Sequence, residues 1–327
     1  MNQQIDGESG ICAVDHFLKS IAESEQDGLQ KILATLDDCG AEILRIREKG
    51  FEVTEKRDLS PVTEADQASE NIILSALRSC WPAISIVSEE ETFALESECA
   101  SLRLPSGYCW LVDPLDGTRE FLSGHNDFTV NIALVQDGLP VLGFIYLPCT
   151  GEVYLGGGQF GSFAGLCDLK LNSGYSGFRS LQVNTGFSDS PIALVSRSHC
   201  DEMTSEVMNW LVSKIPGMRI QQAGSATKFC IIASGEGDFY LRGPGPKVWD
   251  VAAGAAIMQG AEGFFMDLQE EPALNSFETS SENHVNLYGI IPAMKIKPAQ
   301  PLGGGTGLEA RPFAALSVTA MNILRQR

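Results

Sequence analysis

Apolar positions recur along the chain in three distinct rhythms, and each predicts a different element. Over residues 27–49, Leu29, Ile32, Leu33, Leu36, Ile43, Leu44 and Ile46 return at roughly helical spacing, and Gly50 ends the run. A second helix is predicted over 66–79 with Ile72, Ile73 and Leu77 inward, broken by Trp81-Pro82. Residues 84–87 and 110–112 are short continuous apolar runs, the pattern of buried strands. Between them, 92–108 reads as a surface excursion. Residues 128–135, 141–147 and 151–155, joined by tight turns, predict an antiparallel meander. From residue 190 strand and helix patterns alternate: strands at 192–196, 218–222 and 238–242, helices at 199–214, 225–234 and 249–260, then strands at 264–267 and 285–291. Residues 1–24 are weakly patterned and read as an N-terminal extension, a loosely attached extra turn or two of helix. Gly303-Gly304-Gly305 marks a flexible tail in which 313–324 could form a small helix.

Charge narrows the partners. A net charge of −19 argues against non-specific binding to nucleic acid or anionic membranes, both of which need lysine and arginine. The first residues are polar and acidic with no apolar h-region, and no apolar run reaches membrane-spanning length. Nine cysteines, an odd number without C-x-x-C pairs, fit reduced thiols in a cytoplasm. Cys80, Cys109 and Cys230 lie in apolar surroundings and read as small core residues. The expectation is a cytoplasmic protein with no transmembrane segment, of undetermined oligomeric state.

The chemistry concentrates in Cys109-Trp110-Leu111-Val112-Asp113-Pro114-Leu115-Asp116-Gly117-Thr118-Arg119-Glu120-Phe121. Pro114 cannot donate to a sheet ladder, so the strand is expected to stop there and turn. Asp113 and Asp116 would flank that turn, repelling each other unless a proton or a hard cation such as Mg2+ intervenes. A polar turn with helix-capping aspartates is the competing reading. Other acids sit at element ends: Asp66, Glu89 and Asp250. Singly, Asp66 and Asp250 suit helix N-caps. Together the five would cluster at strand and helix ends, where two or three Mg2+ ions could clamp a phosphate and activate a water that the Thr118 hydroxyl orients. That is metal-assisted phosphoester hydrolysis.

Two motifs are decoys. Gly156-Gly157-Gly158-Gln159-Phe160-Gly161 satisfies G-x-G-x-x-G, but it follows a meander and precedes no helical pattern, so it reads as a hairpin turn. Ser225-Ala226-Thr227-Lys228 satisfies S-x-x-K without its S-D-N or K-T-G partners, and is discounted as a nucleophile.

Asp113-Pro114-Leu115-Asp116-Gly117-Thr118 resembles the D-P-[IL]-D-G-T signature of the inositol monophosphatase superfamily of Mg2+-dependent, lithium-sensitive phosphatases. Pro61-Val62-Thr63-Glu64-Ala65-Asp66, Ser88-Glu89-Glu90 and Trp249-Asp250-Val251-Ala252-Ala253-Gly254 follow in the superfamily's order. The resemblance spans about residues 30–290. It implies an α/β fold, a layered αβαβα sandwich, divided at 25–185 (metal core) and 186–295 (substrate-phosphate site), with 296–327 a tail without counterpart. It implies that Glu89, Asp113, the Leu115 carbonyl, Asp116 and Asp250 hold metal. Asp66 and Thr118 would activate water, with Glu89 helping through its metal.

Glu120-Phe121, Phe128-Thr129-Val130-Asn131-Ile132-Ala133-Leu134, Val195-Ser196-Arg197-Ser198-His199 and Gly224-Ser225-Ala226-Thr227-Lys228-Phe229-Cys230 resemble the 3'(2'),5'-bisphosphate nucleotidases. By that resemblance Ser225, Lys228 and Arg242 grip the phosphate that is not cleaved. Asp116, Gly117, Thr118, His199 and Asp250 complete the substrate contacts. Lysine as a point charge and arginine as a bidentate fork suit that role; a solvated surface Lys228 is the alternative. The substrate implied is a small phosphorylated nucleotide, adenosine 3',5'-bisphosphate. An inositol or sugar phosphate phosphomonoesterase, or a non-catalytic nucleotide or Mg2+ sensor, are the competing functions. Residues 168–189 are longer and more polar than the family pattern and could form a loop or lid.

Overall fold

In the computed structural model, residues 7–22, 28–51, 53–55, 61–95, 104–167, 177–186, 189–199, 201–243, 245–270, 294–298 and 313–320 are described. The expected strand at 285–291 and half of the 168–189 loop lie outside them. In chain order the elements are α1 (Gly7–Ser20), α2 (Gly28–Lys49), β1 (Val53–Glu55), β2 (Pro61–Thr63), α3 (Glu64–Cys80), β3 (Ser85–Ser88), α4 (Glu89–Leu95) and β4 (Tyr108–Asp116). Then come α5 (Thr118–Leu122), β5 (Thr129–Gln136), β6 (Leu139–Leu147), β7 (Glu152–Gly157), β8 (Gly161–Leu166), β9 (Arg179–Ser180) and β10 (Ile192–Ser196). The last are α6 (Glu202–Lys214), β11 (Arg219–Ala223), α7 (Thr227–Ala233), β12 (Phe239–Arg242), α8 (Val248–Gly260), β13 (Phe264–Glu270), β14 (Met294–Pro298) and β15 (Phe313–Leu316).

Among the described residues two large sheets and three helix layers make the α/β sandwich, and β1 and β2 form a separate antiparallel pair. The first sheet runs β3-β4-β5-β6-β7-β8-β9, and the second runs β11-β10-β12-β15-β13-β14. Between the outer helices α1–α3 and the first sheet lies a core built on Ile11, Leu36, Ile43, Trp110 and Phe144. A second core, with Leu111, Ile145, Phe229, Ala253 and Phe313, fills the space around α7 and α8 between the sheets. A third, with Val207, Leu211 and Phe239, joins the second sheet to α6. Helix α8 is alanine-rich because it lies pressed between layers. A Cβ on Gly143 of β6 would come within 2.3 Å of the Ala253 carbonyl, so only glycine lets the helix approach this closely.

Three sequence expectations are corrected. Residues 7–20 are not a loosely attached turn or two but the packed helix α1. Ile11, Val14 and Leu18 of α1, spaced by three and four, are fully buried, and the Trp81 indole donates to the Leu18 carbonyl at 3.0 Å. Nor does 313–324 begin as a tail helix. Residues 313–316 are strand β15, inserted antiparallel between β12 and β13 in the middle of the second sheet. Its all-buried Phe-Ala-Ala-Leu has too few residues for periodicity to separate strand from helix.

The third correction concerns Pro114. Strand β4 does not stop there but continues to Asp116. Its pairing with β5 runs to Asp113↔Asn131, then resumes at Asp116↔Thr129, so Pro114 and Leu115 sit in a bulge that needs no ladder donor. The bulge has a consequence for side-chain direction. Before it, Trp110 and Val112 face the outer helices while Cys109 and Leu111 face α7 and α8; after it, Leu115 faces the outer helices. The alternation has slipped by one residue, so Asp113 and Asp116 share the face toward α7 and α8. In an unbroken strand Asp116 would point the other way.

The G-x-G-x-x-G segment is the β7–β8 hairpin, with Gly157 paired to Gly161. Cys80, Cys109 and Cys230 are buried free thiols. Among the described residues no helix is long and apolar enough to cross a membrane.

Candidate active site

A cleft of about 560 Å³ opens where the end of β4 meets the starts of α7 and α8. Every site residue expected from sequence lines it except Asp66, which reaches it through Thr118. One wall is acidic, with Glu89, Asp113, Asp116 and Asp250. A second, cationic wall carries Lys228 and Arg242 with His199 beside them, and Arg119 and Lys247, two cations that the sequence reading did not single out, also line the cleft.

The acids are delivered by helix starts and strand ends. Asp66 is not an N-cap but the third residue of α3, closing a capping box whose N-cap is Thr63: its Oδ2 accepts from Thr63 N at 2.8 Å and Thr63 Oγ1 at 2.7 Å. Oδ1 accepts from Thr118 Oγ1 at 3.2 Å, and the same hydroxyl lies 3.2 Å from the Leu115 carbonyl. Asp250 holds the corresponding place at α8, its Oδ2 accepting from Lys247 N at 2.8 Å. Glu89 opens α4 directly after β3. The end of that strand is anchored by Glu70, which accepts from the Ser88 hydroxyl and, at 3.1 Å, from Glu91 N.

Electrostatically the acidic wall is frustrated. Asp113 is 1% exposed. Burial, then the charges of Glu89, Asp116 and Asp250, push its carboxyl well above the usual carboxylate range. Asp250 is pushed up to about 8 by burial and by Asp116 and Glu89. Asp116 rises to about 6 through burial, offset by Lys228 and by hydrogen bonds from Asn131 Nδ2 (3.1 Å) and Ala226 N (2.7 Å). Asp113 lies within hydrogen-bonding reach of both Glu89 and Asp250. Among the described residues no three carboxylates, imidazoles or thiols close into a ready cage for an ion. An open set of carboxylates with a backbone carbonyl and room for water still fits Mg2+, which keeps several waters and shares its ligands with substrate phosphate. An all-oxygen donor set with unrelieved negative charge suits a hard divalent cation.

The cationic wall departs from the solvated-lysine alternative. Lys228 is 2% exposed. Its ammonium donates to the carbonyls of Ala223 (3.2 Å) and Ser225 (2.5 Å) and lies 5.1 Å from the Tyr240 ring centroid. Burial lowers it to about 8, against the pull of Asp116. Arg242 donates to the His199 carbonyl. His199, at the rim, is held below its usual range by the protein around it and by Arg242 and Arg119. Ser225 is left-handed at φ +44°, and its hydroxyl donates to the Asp127 carbonyl at 2.9 Å and not to a general base.

A profile of the inositol monophosphatase family matches residues 25–294. The chain belongs to the inositol monophosphatase family. Among its relatives is the Buchnera aphidicola protein named 3'(2'),5'-bisphosphate nucleotidase CysQ, 35% identical over 76% of this chain and 87% of that protein. The Escherichia coli K12 protein of the same name is 32% identical over 75% of this chain and 92% of its own length. Of solved structures, CysQ from Bacteroides thetaiotaomicron is 27% identical with a TM-score of 0.62, covering 89% of this chain and 96% of its own. The Thermotoga maritima inositol monophosphatase shares the fold at 19% identity, with a TM-score of 0.65 over 92% and 96% of the two chains. In this chain the D-P-L-D-G-T segment carries the bulge of β4.

Besides Arg119 and Lys247, sequence reasoning passed over Phe313, which lines the cleft from β15. The two cations stood beside recognised motifs in a chain poor in positive charge. Phe313 carried no signal, because more than forty residues separate it from β13.

Proposed function

We propose that this member of the family is an Mg2+-dependent 3'(2'),5'-bisphosphate nucleotidase, removing the 3'-phosphate of adenosine 3',5'-bisphosphate to give AMP and phosphate. The observation that carries the reading is the buried Lys228, opposite the Asp113–Asp116 bulge and joined to it by the Ala226 N–H on Asp116 Oδ2. A lysine held dry at the base of an acidic cleft suits a second phosphate, because the substrate anion repays its desolvation.

Glu89, Asp113, the Leu115 carbonyl, Asp116 and Asp250 are the donors that would hold Mg2+. Bound there, Mg2+ supplies Lewis acidity toward the phosphoryl group and toward water. Asp66 has one carboxylate oxygen occupied by Thr63 and the other turned to Thr118. The pair is therefore set to orient a water and take its proton as it attacks phosphorus in line with the leaving ribose oxygen. Lys228 and Arg242, with Ser225 and His199 beside them, hold the retained phosphate, fixing which ester faces the acids.

The test is phosphate release with Mg2+ from adenosine 3',5'-bisphosphate, inositol 1-phosphate and fructose 1,6-bisphosphate. The bisphosphate nucleotide is expected to show the highest kcat/KM. A preference for inositol phosphate would overturn the substrate assignment, and no release from any of them would overturn the catalytic one.

A further inference from the structure

Asp127 does not line the cleft, yet hydrogen bonds from Arg197, Gly224 and Ser225 converge on it. Its Oδ2 accepts from Gly224 N at 2.6 Å and from Arg197 Nη2 at 2.8 Å, and its carbonyl accepts from Ser225 Oγ at 2.9 Å. The approach is close enough that a Cβ on Gly224 would lie 2.5 Å from the Asp127 carbonyl oxygen and 2.6 Å from Glu120 Cγ. The segment held this way is the link between β11 and α7. In it Ser225 adopts a left-handed backbone that a serine rarely takes, and the next peptide N–H reaches Asp116 while the Ser225 carbonyl accepts from Lys228. Glu120, five residues after Leu115 and 3% exposed, adds a parallel tie by accepting from Ser198 Oγ at 2.5 Å. Behind Asp127 its own loop is pinned in turn: Arg47 of α2 donates to Asn126 Oδ1 (3.0 Å) and the His125 carbonyl (3.1 Å).

We propose that Asp127 is a positioning residue: its carboxylate, balanced by Arg197, clasps the Gly224–Ser225 turn to the first sheet and so sets the distance between the acid bulge and Lys228. It touches neither substrate nor metal and acts through the strained turn. The clasp explains why a serine tolerates φ +44° here, since three hydrogen-bonded neighbours over-determine the conformation. It also sets which part of the reaction is sensitive. Loosening the turn moves the wall that holds the retained phosphate and leaves Asp66, Thr118 and Asp113 in place.

The substrate consequence rests on the bisphosphate reading, so the test has two readouts. In Asp127→Ala, KM for adenosine 3',5'-bisphosphate is expected to rise at least tenfold with kcat within threefold of wild type, while KM for adenosine 3'-phosphate stays within threefold. Amide hydrogen exchange is expected to accelerate at 223–229 and remain unchanged at 109–116. Asp127→Asn, which keeps an acceptor for Gly224 N, is expected to recover most of the KM. Arg197→Ala, a milder variant should Asp127→Ala fail to fold, is expected to raise KM about threefold with the same local exchange pattern. Unchanged exchange at 223–229, a rise spread equally over both sheets, or local loosening with KM unmoved in an active enzyme would each overturn the proposal. If wild type does not turn over the bisphosphate, the substrate assignment fails and the exchange pattern alone decides the clasp.

Discussion

Two helix starts, α3 and α8, place an aspartate at the same capping-box position, yet the two carboxylates live in opposite electrostatic worlds. Asp66 is surrounded by donors: the Thr63 N–H and hydroxyl on one oxygen, the Thr118 hydroxyl on the other. Asp250 has the Lys247 N–H and then faces Asp116, Glu89 and Asp113, and is pushed up to about 8. The local device is shared, and the partners across the cleft decide what each acid is for. Asp66 is finished by its own protein and suits proton transfer. Asp250 is left incomplete and suits a cation.

Exchanging each acid for its amide separates these roles most sharply. Asp66→Asn and Asp250→Asn are each expected to lower kcat about a thousandfold, the scale of a lost general base or of lost charge stabilisation. In a Mg2+ titration of residual activity, half-saturation should move at least tenfold in Asp250→Asn and hardly at all in Asp66→Asn. Equal shifts in both would erase the distinction.

Next in size is the cationic wall. Loss of a hydrogen bond to a charged group is worth about 1.5–3 kcal/mol, so Lys228→Ala and Arg242→Ala should each raise KM for adenosine 3',5'-bisphosphate by roughly 10- to 100-fold. Lys228 adds a pH dependence. Its amine sits at about 8, so KM is expected to climb as pH rises past 8, and Lys228→Arg should flatten that climb.

The frustration of Asp250 should also appear in the stability of the metal-free protein. Its carboxyl in the folded state lies above its value in the unfolded chain, so the folded state binds the proton more tightly. That contribution is full below about pH 4, from the ordinary carboxylate value, and is lost as pH rises through about 8. In EDTA the melting temperature should therefore fall across this window, Mg2+ should reverse most of the fall, and Asp250→Asn should shallow the slope. A flat profile in EDTA would contradict the like-charge account.

The smallest effect has opposite signs at the two helices. Asp66→Ala removes a capping-box acceptor and should destabilise by about 1 kcal/mol in urea unfolding. Asp250→Asn should leave the metal-free protein at neutral pH as stable or more stable, because it relieves repulsion.

Much of the acid set was legible because its carriers are local. A helix start, a strand end and a D-P-L-D-G-T turn are each encoded within a few residues, and Asp66, Glu89, Asp113, Asp116 and Asp250 could be named from them. The geometry of that turn was not legible. Proline forbids a ladder donor, which reads equally as a stop or as a bulge, and only the continued pairing with Thr129 shows which occurred. Helix α1 failed for a different reason. Ile11, Val14 and Leu18 do have helical spacing, but its remaining residues are mixed, and burial against α2 and β8 supplies what the pattern lacks. Asp127 looked like any loop acid, since its partners Arg197 and Gly224 are distant in sequence.

By itself the amino-acid sequence determined the chemistry on offer: hard oxygen ligands at element ends, a threonine beside them, and scarce cations downstream. Those follow from residue type and local backbone preference, which act over a few positions. Tertiary structure alone decided that Asp113 and Asp116 share a face, that Lys228 is buried, and that residues 313–316 complete the middle of the second sheet. Each of these depends on what packs from across the fold, and neither hydrophobic rhythm nor turn residues carry that information.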